Sequence, residues 1–322
     1  MAGDARLVHE WWTYDLPLTT RFRGINRRSG MLIRGASGWG EWSPFPEYAR
    51  PEIDAWLRAA VEAATLGWPD AVRSRVPVNS IVPAVDAERA GAFALSGGCR
   101  TAKVKVAERG QTLADDLARV EAVQDALGAS GRVRIDANGA WSVDEAVRAL
   151  RELARFDLEY AEQPCASVEE LAELRLRLAR SGIDVPVAAD ESIRRSGDPE
   201  QVAALNAADV AVLKVQPLGG VRACLELAER LGLPVVVSSA LETSVGIAGG
   251  VALAAALPEL PYACGLNTVA LLAADVTDRP LVAVDGMIEV RQVAPSGNDW
   301  RAADELDQWW RRRLSETEEG TR

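Results

Sequence analysis

The chain has 322 residues, 48% apolar and 26% charged, enough for one large domain or two smaller ones with a sizeable core. Its formal charge of −11 makes nucleic acid and anionic membranes poor partners. The single histidine, His9, lies far from every motif, which nearly excludes Ser-His-Asp triads, Cys-His pairs and His-ligated metals and leaves acid–base chemistry to Lys, carboxylates or Tyr. Cys99, Cys165, Cys224 and Cys264 form no C-x-x-C pair, so reduced thiols in the cytoplasm are expected rather than a zinc cluster or a disulfide framework. The start of the chain lacks the basic and apolar regions of a signal peptide.

In chain order, residues up to 75 read as an α+β unit. Strands are expected over Val8–Tyr14 and Met31–Arg34, with the polar, basic stretch Arg21–Gly30 between them expected to be mobile. A Gly- and Pro-rich aromatic loop, Gly38 to Pro46, precedes a helix over Glu52–Leu66, with Pro51 favourable at its first turn.

From Val76 the pattern becomes a strict alternation. Strands are predicted over Val76–Val82, Ala102–Val106, Val133–Ala137, Leu158–Ala161, Val185–Ala189, Val210–Val215, Pro234–Ser238 and Tyr262–Leu266. Between them lie helical stretches such as Thr112–Leu127, Val143–Ala154, Val168–Ala179 and Val221–Leu231. This count matches a closed (β/α) barrel; an open doubly wound sheet has no glycine-rich fingerprint after its first strand to support it. The uncharged run Thr243–Pro258 reads as a buried helix rather than a membrane span. No barrel helix is evident over 270–290. An amphipathic helix over Ala302–Leu314 should pack back on the N-terminal unit, and the acidic tail after Ser315 is expected to be disordered.

Three neighbouring strands end in an acid: Asp136, Glu162 and Asp190, spaced by 26 and 28 residues, one βα unit each. In a barrel all strand C-termini open on one face, so the three carboxylates should converge there and need a cation. Oxygen donors without His or Cys select a hard ion, Mg²⁺ foremost. The bland alternative is three independent helix caps.

Lysine is rare: it occurs only at 103, 105 and 214, against 33 arginines. An amine can be tuned to exchange protons whereas a guanidinium stays charged, so these three positions stand out. Lys103 and Lys105 share one face of their strand, roughly 7 Å apart, where mutual repulsion of about 2 kcal/mol would lower an amine pKa. Lys214 ends the sixth strand, opposite Lys105 in an eight-stranded ring, so a chelated substrate would have an amine on each side. The constellation suits removal of a proton α to a carboxylate.

The motifs Gly38-Trp39-Gly40-Glu41, Lys103-x-Lys105, Asp136-x-Asn138, Glu162-Gln163-Pro164, Asp190-Glu191-Ser192 and Lys214 resemble those of the enolase superfamily, muconate-lactonizing subgroup, over nearly the whole chain. Arg21-Phe22-Arg23-Gly24, Gly40 to Pro46 and Ser238 to Ser244 further resemble the o-succinylbenzoate synthase family within it. The resemblance implies a (β/α)7β TIM-like barrel over residues 76–290, an N-terminal α+β capping domain over 1–75, and a C-terminal segment, 291–322, that completes the cap. It implies Mg²⁺, with Mn²⁺ able to substitute, on Asp136, Glu162 and Asp190. Lys105 would take the α-proton and return it to the departing hydroxyl. Lys214 would hold its charge against the π-face of the resulting anion.

The loop around Arg21 and Arg23 would close over the substrate, with Arg27 and Arg28 leaving open which arginine reaches it. Ser239 and Gly265 would contact the succinyl carboxylate, and Lys103 and Asn138 would complete the substrate side, Asn138 also supporting the metal shell. Trp39 and Trp42 read as packing between cap and barrel. The implied activity is dehydration of 2-succinyl-6-hydroxy-2,4-cyclohexadiene-1-carboxylate in menaquinone biosynthesis, on a small-molecule carboxylate with no nucleic-acid or membrane partner. The oligomeric state is left open, with a monomer slightly favoured. Alternatives are an N-acylamino-acid racemase using the same lysines, a muconate cycloisomerase and a metal-free Schiff-base aldolase. A non-catalytic binding barrel is the remaining one. A dipeptide epimerase fits poorly because Cys264 to Thr268 contains no Asp-x-Asp.

Overall fold

The structure, a computed structural model, describes residues 10–195 and 199–319; His9 and the start of the expected strand at Val8 lie outside them. The chain opens with a three-stranded antiparallel sheet, β1 (Glu10–Phe22), β2 (Ile25–Gly35) and β3 (Gly38–Trp42). Arg21–Gly30, expected to be a mobile stretch, is instead a β-hairpin. Phe22 pairs with Ile25 across a two-residue turn in which Arg23 (φ 48°) and Gly24 (φ 79°) both take the left-handed conformation that such tight hairpins favour. The alternation of a strand turns Arg27 to solvent and Arg28 into the core, so a run that reads as uniformly polar is two-faced.

The helix Glu52–Thr65 lies against this sheet, burying Ile53, Trp56, Leu57, Ala60 and Ala64. Gly35 and Gly40 permit the close approach: a Cβ at either would run into the carbonyl oxygens of Ala64 and Ala60.

A curled, seven-stranded parallel sheet follows. Its strands are β5 (Ser80–Val82), β6 (Thr101–Lys105), β7 (Arg132–Asp136), β8 (Tyr160–Glu162), β9 (Val187–Ala189), β10 (Val210–Lys214) and β11 (Val235–Ser238), each beside its neighbour in sequence. Three of the intervening helices begin at reciprocal capping boxes, Thr112/Asp115, Ser142/Glu145 and Ser167/Glu170, which fix where each strand-to-helix turn ends. The expected strand Tyr262–Leu266 is reduced to two bridges. Asn79 N donates to Cys264 O (2.9 Å) and Gly265 N to Val237 O (2.8 Å), so residues 264 and 265 link the two edges of the sheet. Tyr160, Ala188, Val210, Val212 and Val236 form an apolar cluster on these strands.

Two short strands, β4 (Arg75–Pro77) and β12 (Met287–Glu289), pair antiparallel and tie the later segment back to the first. The helix Ser244–Ala256 is buried along nearly its whole length, and no helix among the described residues is long and apolar enough to cross a membrane. The last helix, Asp304–Glu319, packs on the N-terminal sheet through Trp310, whose ring meets Trp42 edge-on at 5.4 Å. It continues past Ser315, where a disordered tail was expected, because Thr317 is buried and its hydroxyl donates to Arg313 O (2.7 Å). The fold is thus mixed α/β, a curled parallel sheet with an antiparallel sheet unit against it.

Candidate active site

Register places the charged groups. Lys105, Asp136 and Glu162 are direct partners across β6, β7 and β8, so their side chains leave three adjacent strand ends at one level. Asp190 follows β9, and Lys214 ends β10. Lys103 sits two residues below Lys105, with its amine 2.5 Å from Glu162 Oε1 and 3.4 Å from Asp136 Oδ2. Lys105 Nζ donates to Asp136 Oδ2 (2.5 Å) and to Asn138 Oδ1, and Lys214 Nζ to Asp190 Oδ2 (2.5 Å).

All six predicted charges therefore meet, but not as three acids sharing one centre with amines on either side. Each carboxylate is drawn onto an amine, and no three acidic, His or Cys side chains among the described residues stand at metal-ligand spacing. The reason is burial. Asp136, Glu162 and Asp190 are all under 3% exposed, where an ionised carboxylate needs the nearest available cation.

The titrations follow the same logic. Burial pushes Glu162 up to about 7, against the pull of the Lys103 ammonium. Burial also works to raise Asp136, but Lys105 and Lys103 overcome it and hold the carboxyl well below the usual range. Asp190 is brought to about 2 by Arg194 and Lys214, again against burial. Lys105 is lowered, first by burial and further by the charge of Lys103, with Asp136 opposing. The expected repulsion between the two lysines is thus present but second to desolvation. Lys103 is raised: burial lowers it, but Glu162 and Asp136 outweigh that effect.

Sequence reasoning named Asn138 but assigned no role to two other groups that brace this layer, Arg194 and Gln163. Arg194, one helical turn after Asp190, places Nε 3.0 Å from Asp190 Oδ1 and donates to Tyr48 Oη (3.3 Å). Its i,i+4 spacing was the available signal. Gln163 accepts from the backbone N of Asp190 (3.0 Å) and Ser192 (3.1 Å) and donates to Ser192 Oγ (2.7 Å), fixing the end of β8 against that of β9. Asn138 takes a left-handed conformation (φ 47°), with its backbone N on Asp136 Oδ1 (3.0 Å).

A cavity opens over the layer. Lys103, Lys105, Asp136, Asn138 and Lys214 form its floor, and Ser239, Ala240, Leu241, Gly265 and Thr268 line one wall. Phe22, Arg23, Phe45 and Tyr48 from the N-terminal unit cover it. Among the hairpin arginines, Arg23 is the one that lines the cavity, with its guanidinium 4.2 Å from the centroid of the Phe45 ring. Arg21 is exposed and outside the lining, Arg27 pairs with Asp15 at 2.9 Å on the surface, and Arg28 is buried behind the wall.

Ser239 Oγ donates to Gly265 O (2.8 Å) and lies 2.9 Å from Thr268 Oγ1. Gly265 has a packing reason to be glycine, since a Cβ there would press on Ser238 Oγ at 2.6 Å. Trp39 and Trp42 stay out of the cavity, packing on Trp12 (4.8 Å) and Trp310 (5.4 Å), and Trp39 also lies against the barrel core beside Val245 and Ala248, as packing between cap and barrel requires.

The donor set fits a hard divalent cation. The three carboxylates offer only oxygen, and Glu162 Oε2 is buried with no protein donor, an acceptor that a cation would satisfy.

Comparison with known proteins agrees with this architecture. The family described as "Enolase C-terminal domain-like" matches residues 86–297, and "Enolase N-terminal domain-like" matches residues 13–64. An o-succinylbenzoate synthase of Thermobifida fusca is 66% identical over 280 residues, covering 87% of each chain. One of Mycolicibacterium smegmatis is 53% identical over 300 residues, covering 92% of this chain and 91% of the other. Among solved structures, a muconate lactonizing enzyme from Pseudomonas fluorescens complexed with muconolactone shares the fold, with a TM-score of 0.73 at 24% identity over 96% of this chain and 98% of that one. The chain belongs to the enolase superfamily, within its o-succinylbenzoate synthase family.

Proposed function

We propose that this chain is a Mg²⁺-dependent carbon–oxygen lyase that converts 2-succinyl-6-hydroxy-2,4-cyclohexadiene-1-carboxylate to o-succinylbenzoate in menaquinone biosynthesis. The activity rests on the 66% identical o-succinylbenzoate synthase; the observation that carries the chemistry is the meeting of Lys105 and Lys214, from β6 and β10, on one row of three carboxylates beneath a cavity partly covered by the N-terminal unit.

Asp136, Glu162 and Asp190 would hold Mg²⁺, with Mn²⁺ as a substitute. A divalent ion bound there supplies positive charge at the substrate carboxylate when the α-carbon gives up its proton. Lys105, as the free amine, takes that proton and leaves the C–H electron pair delocalised into the carboxylate; the pair then forms the new ring double bond as the C–O bond breaks. The same Lys105, now ammonium, delivers the proton to the departing hydroxyl on the same face, releasing water. Lys214 stays charged and faces the delocalised anion, a role that needs no proton transfer.

Lys103 keeps Glu162 and Asp136 apart from each other's charge. Arg23 closes the roof, and Asn138 Oδ1, held by the turn after β7, orients the Lys105 amine. Ser239 and Gly265 at the wall complete the substrate-side set, with Arg23 rather than Arg21 as the hairpin's contribution. On this reading the curled sheet is a (β/α)7β barrel over residues 76–290, capped by residues 1–75 and 291–322. The four cysteines, all free and buried, suit a cytoplasmic setting.

The purified protein should convert the diene acid, with loss of its chromophore and appearance of the aromatic product. Chelation should stop turnover and Mg²⁺ restore it. Racemisation of an N-succinyl amino acid without any dehydration of the diene acid would replace this reading by the racemase.

A further inference from the structure

The wall segment Ser239–Thr243 is held in an unusual shape. Leu241 has φ +64°, a left-handed conformation that a branched side chain adopts only when its surroundings enforce it. Those surroundings come from the cap. Arg28, 1% exposed, donates from Nε to Leu241 O (2.9 Å) and from Nη2 to Ala240 O (3.4 Å) and Ser43 Oγ (3.0 Å). Glu41 takes the other end of the segment, accepting from Thr243 N (3.1 Å) and Thr243 Oγ1 (2.5 Å) on Oε2. Ala240 and Leu241 line the cavity, whereas Arg28 and Glu41 do not.

A further contact joins the clamp to the roof. The Arg28 guanidinium lies 4.4 Å from the centroid of the Phe45 ring, the ring that also carries Arg23 at 4.2 Å. Only a planar fork reaches the carbonyls of Leu241, Ala240, Ser43 and Ser29, a hydroxyl and an aromatic ring together. Without it, the buried carbonyls of Ala240, Leu241 and Ser43 lose a donor, and the turn at Leu241 is left to the contacts of Glu41 with Thr243 and of Glu242 with Ala240 N.

We propose that Arg28 is a positioning residue for substrate selection: by clamping the carbonyls of Ala240 and Leu241 from the cap, it fixes the Leu241 side chain as the cavity wall against the substrate's acyl arm. The inference rests on the dehydratase reading and adds to it the device that sets the acyl length accepted.

The test compares wild type, Arg28→Met, Arg28→Lys, Leu241→Gly and the Arg28→Met/Leu241→Gly double variant. The readouts are kcat and KM for the diene acid and inhibition by o-succinylbenzoate against its glutaryl homologue. Arg28→Met should raise KM by on the order of tenfold by letting the Ala240–Leu241 wall relax, with kcat changed less than about threefold. It should also narrow the preference for the succinyl over the glutaryl compound, and Arg28→Lys should restore part of both. Leu241→Gly should raise KM as well, and the double variant should be no worse than Leu241→Gly alone, because both act on one wall.

Unchanged KM and preference in Arg28→Met, or effects that multiply in the double variant, would overturn the proposal. If Arg28→Met does not fold, Arg28→Lys decides: KM and succinyl preference equal to wild type overturn it, and a raised KM with a narrowed preference supports it. Wild-type protein that fails to turn over the diene acid counts against the dehydratase reading; active wild type with indifferent variants counts against this inference only.

Discussion

Glu41 and Glu162 are both buried carboxylates at or near a strand end, and burial raises the pKa of both, yet they are built for different purposes. Glu41 is saturated: Tyr14 Oη (2.8 Å) and Ser43 Oγ (2.7 Å) donate to one oxygen, and Thr243 and Gly246 N (3.0 Å) to the other. Those donors come from the antiparallel sheet on one side and from the start of a barrel-side helix on the other, so the carboxylate is a joint. Glu162 has one ammonium on Oε1 and no protein donor on Oε2. A saturated buried acid holds elements together, and an unsaturated one beside several amines is where a ligand is expected to bind. The difference between structure and chemistry lies in the donor count, since depth of burial is the same.

The largest expected effect separates the two regions outright. Lys105→Arg keeps the charge beside Asp136 but removes the exchangeable amine, so turnover should fall by on the order of 10²–10⁴-fold while Mg²⁺ binding and thermal unfolding stay near wild type. Retained turnover removes Lys105 as the base.

Next come the paired substitutions Glu162→Gln and Glu41→Gln. With its pKa raised to about 7, Glu162 is only about half ionised near neutral pH, so Glu162→Gln should cost less stability than losing a fully ionised partner of Lys103 would, while Mg²⁺ affinity, followed by calorimetry, collapses. Glu41→Gln should lower unfolding stability by about 1–3 kcal/mol and leave Mg²⁺ affinity unchanged, because it turns an amide donor on to donors. The opposite pattern in denaturant melts and titrations would invert the comparison.

A subtler effect is pH-dependent. Glu242 is raised to about 7, by burial and then by its neighbour Glu41, with Arg28 and the backbone amides opposing. The folded carboxyl keeps its proton up to that pH whereas the unfolded one releases it near 4.5, so this residue's contribution to stability falls as pH rises between the two values and is flat above about 7. Glu242→Gln should remove that slope, and the gap between variant and wild type should grow by on the order of 2 kcal/mol from pH 4.5 to pH 7.5 in urea melts. Parallel pH profiles would show that the Glu41–Glu242 seam is neutral by other means.

The smallest effect is a control. Arg27, paired with Asp15 on the surface and two residues from the end of the hairpin turn, should tolerate Ala with less than about 1 kcal/mol of change and an unaltered KM. A clear KM effect would show that the roof reaches further out than Arg23.

Much of this could be read from the chain itself. The period-two alternation of Lys103, Val104, Lys105 and Val106 correctly forecast β6 and put both amines on one face. Acids spaced by one βα unit forecast adjacent strand ends, and the register of Lys105, Asp136 and Glu162 bears that out. The hairpin at Arg23–Gly24 was misread because four arginines raise local polarity without revealing which of them faces inward. Tyr262–Leu266 was too generous as a strand because its ladder is two bridges long, and no local pattern reports how many partners a strand end finds.

What the sequence determined alone is the list of chemical groups and the strand or turn that carries each, because alternation, helix caps and unit spacing are local properties. Only the tertiary structure decided which acid meets which amine, which hairpin arginine covers the cavity and that Arg28 reaches across 213 residues to hold Leu241. Those choices depend on which groups burial leaves without water. A buried charge takes whatever partner the completed fold brings within reach.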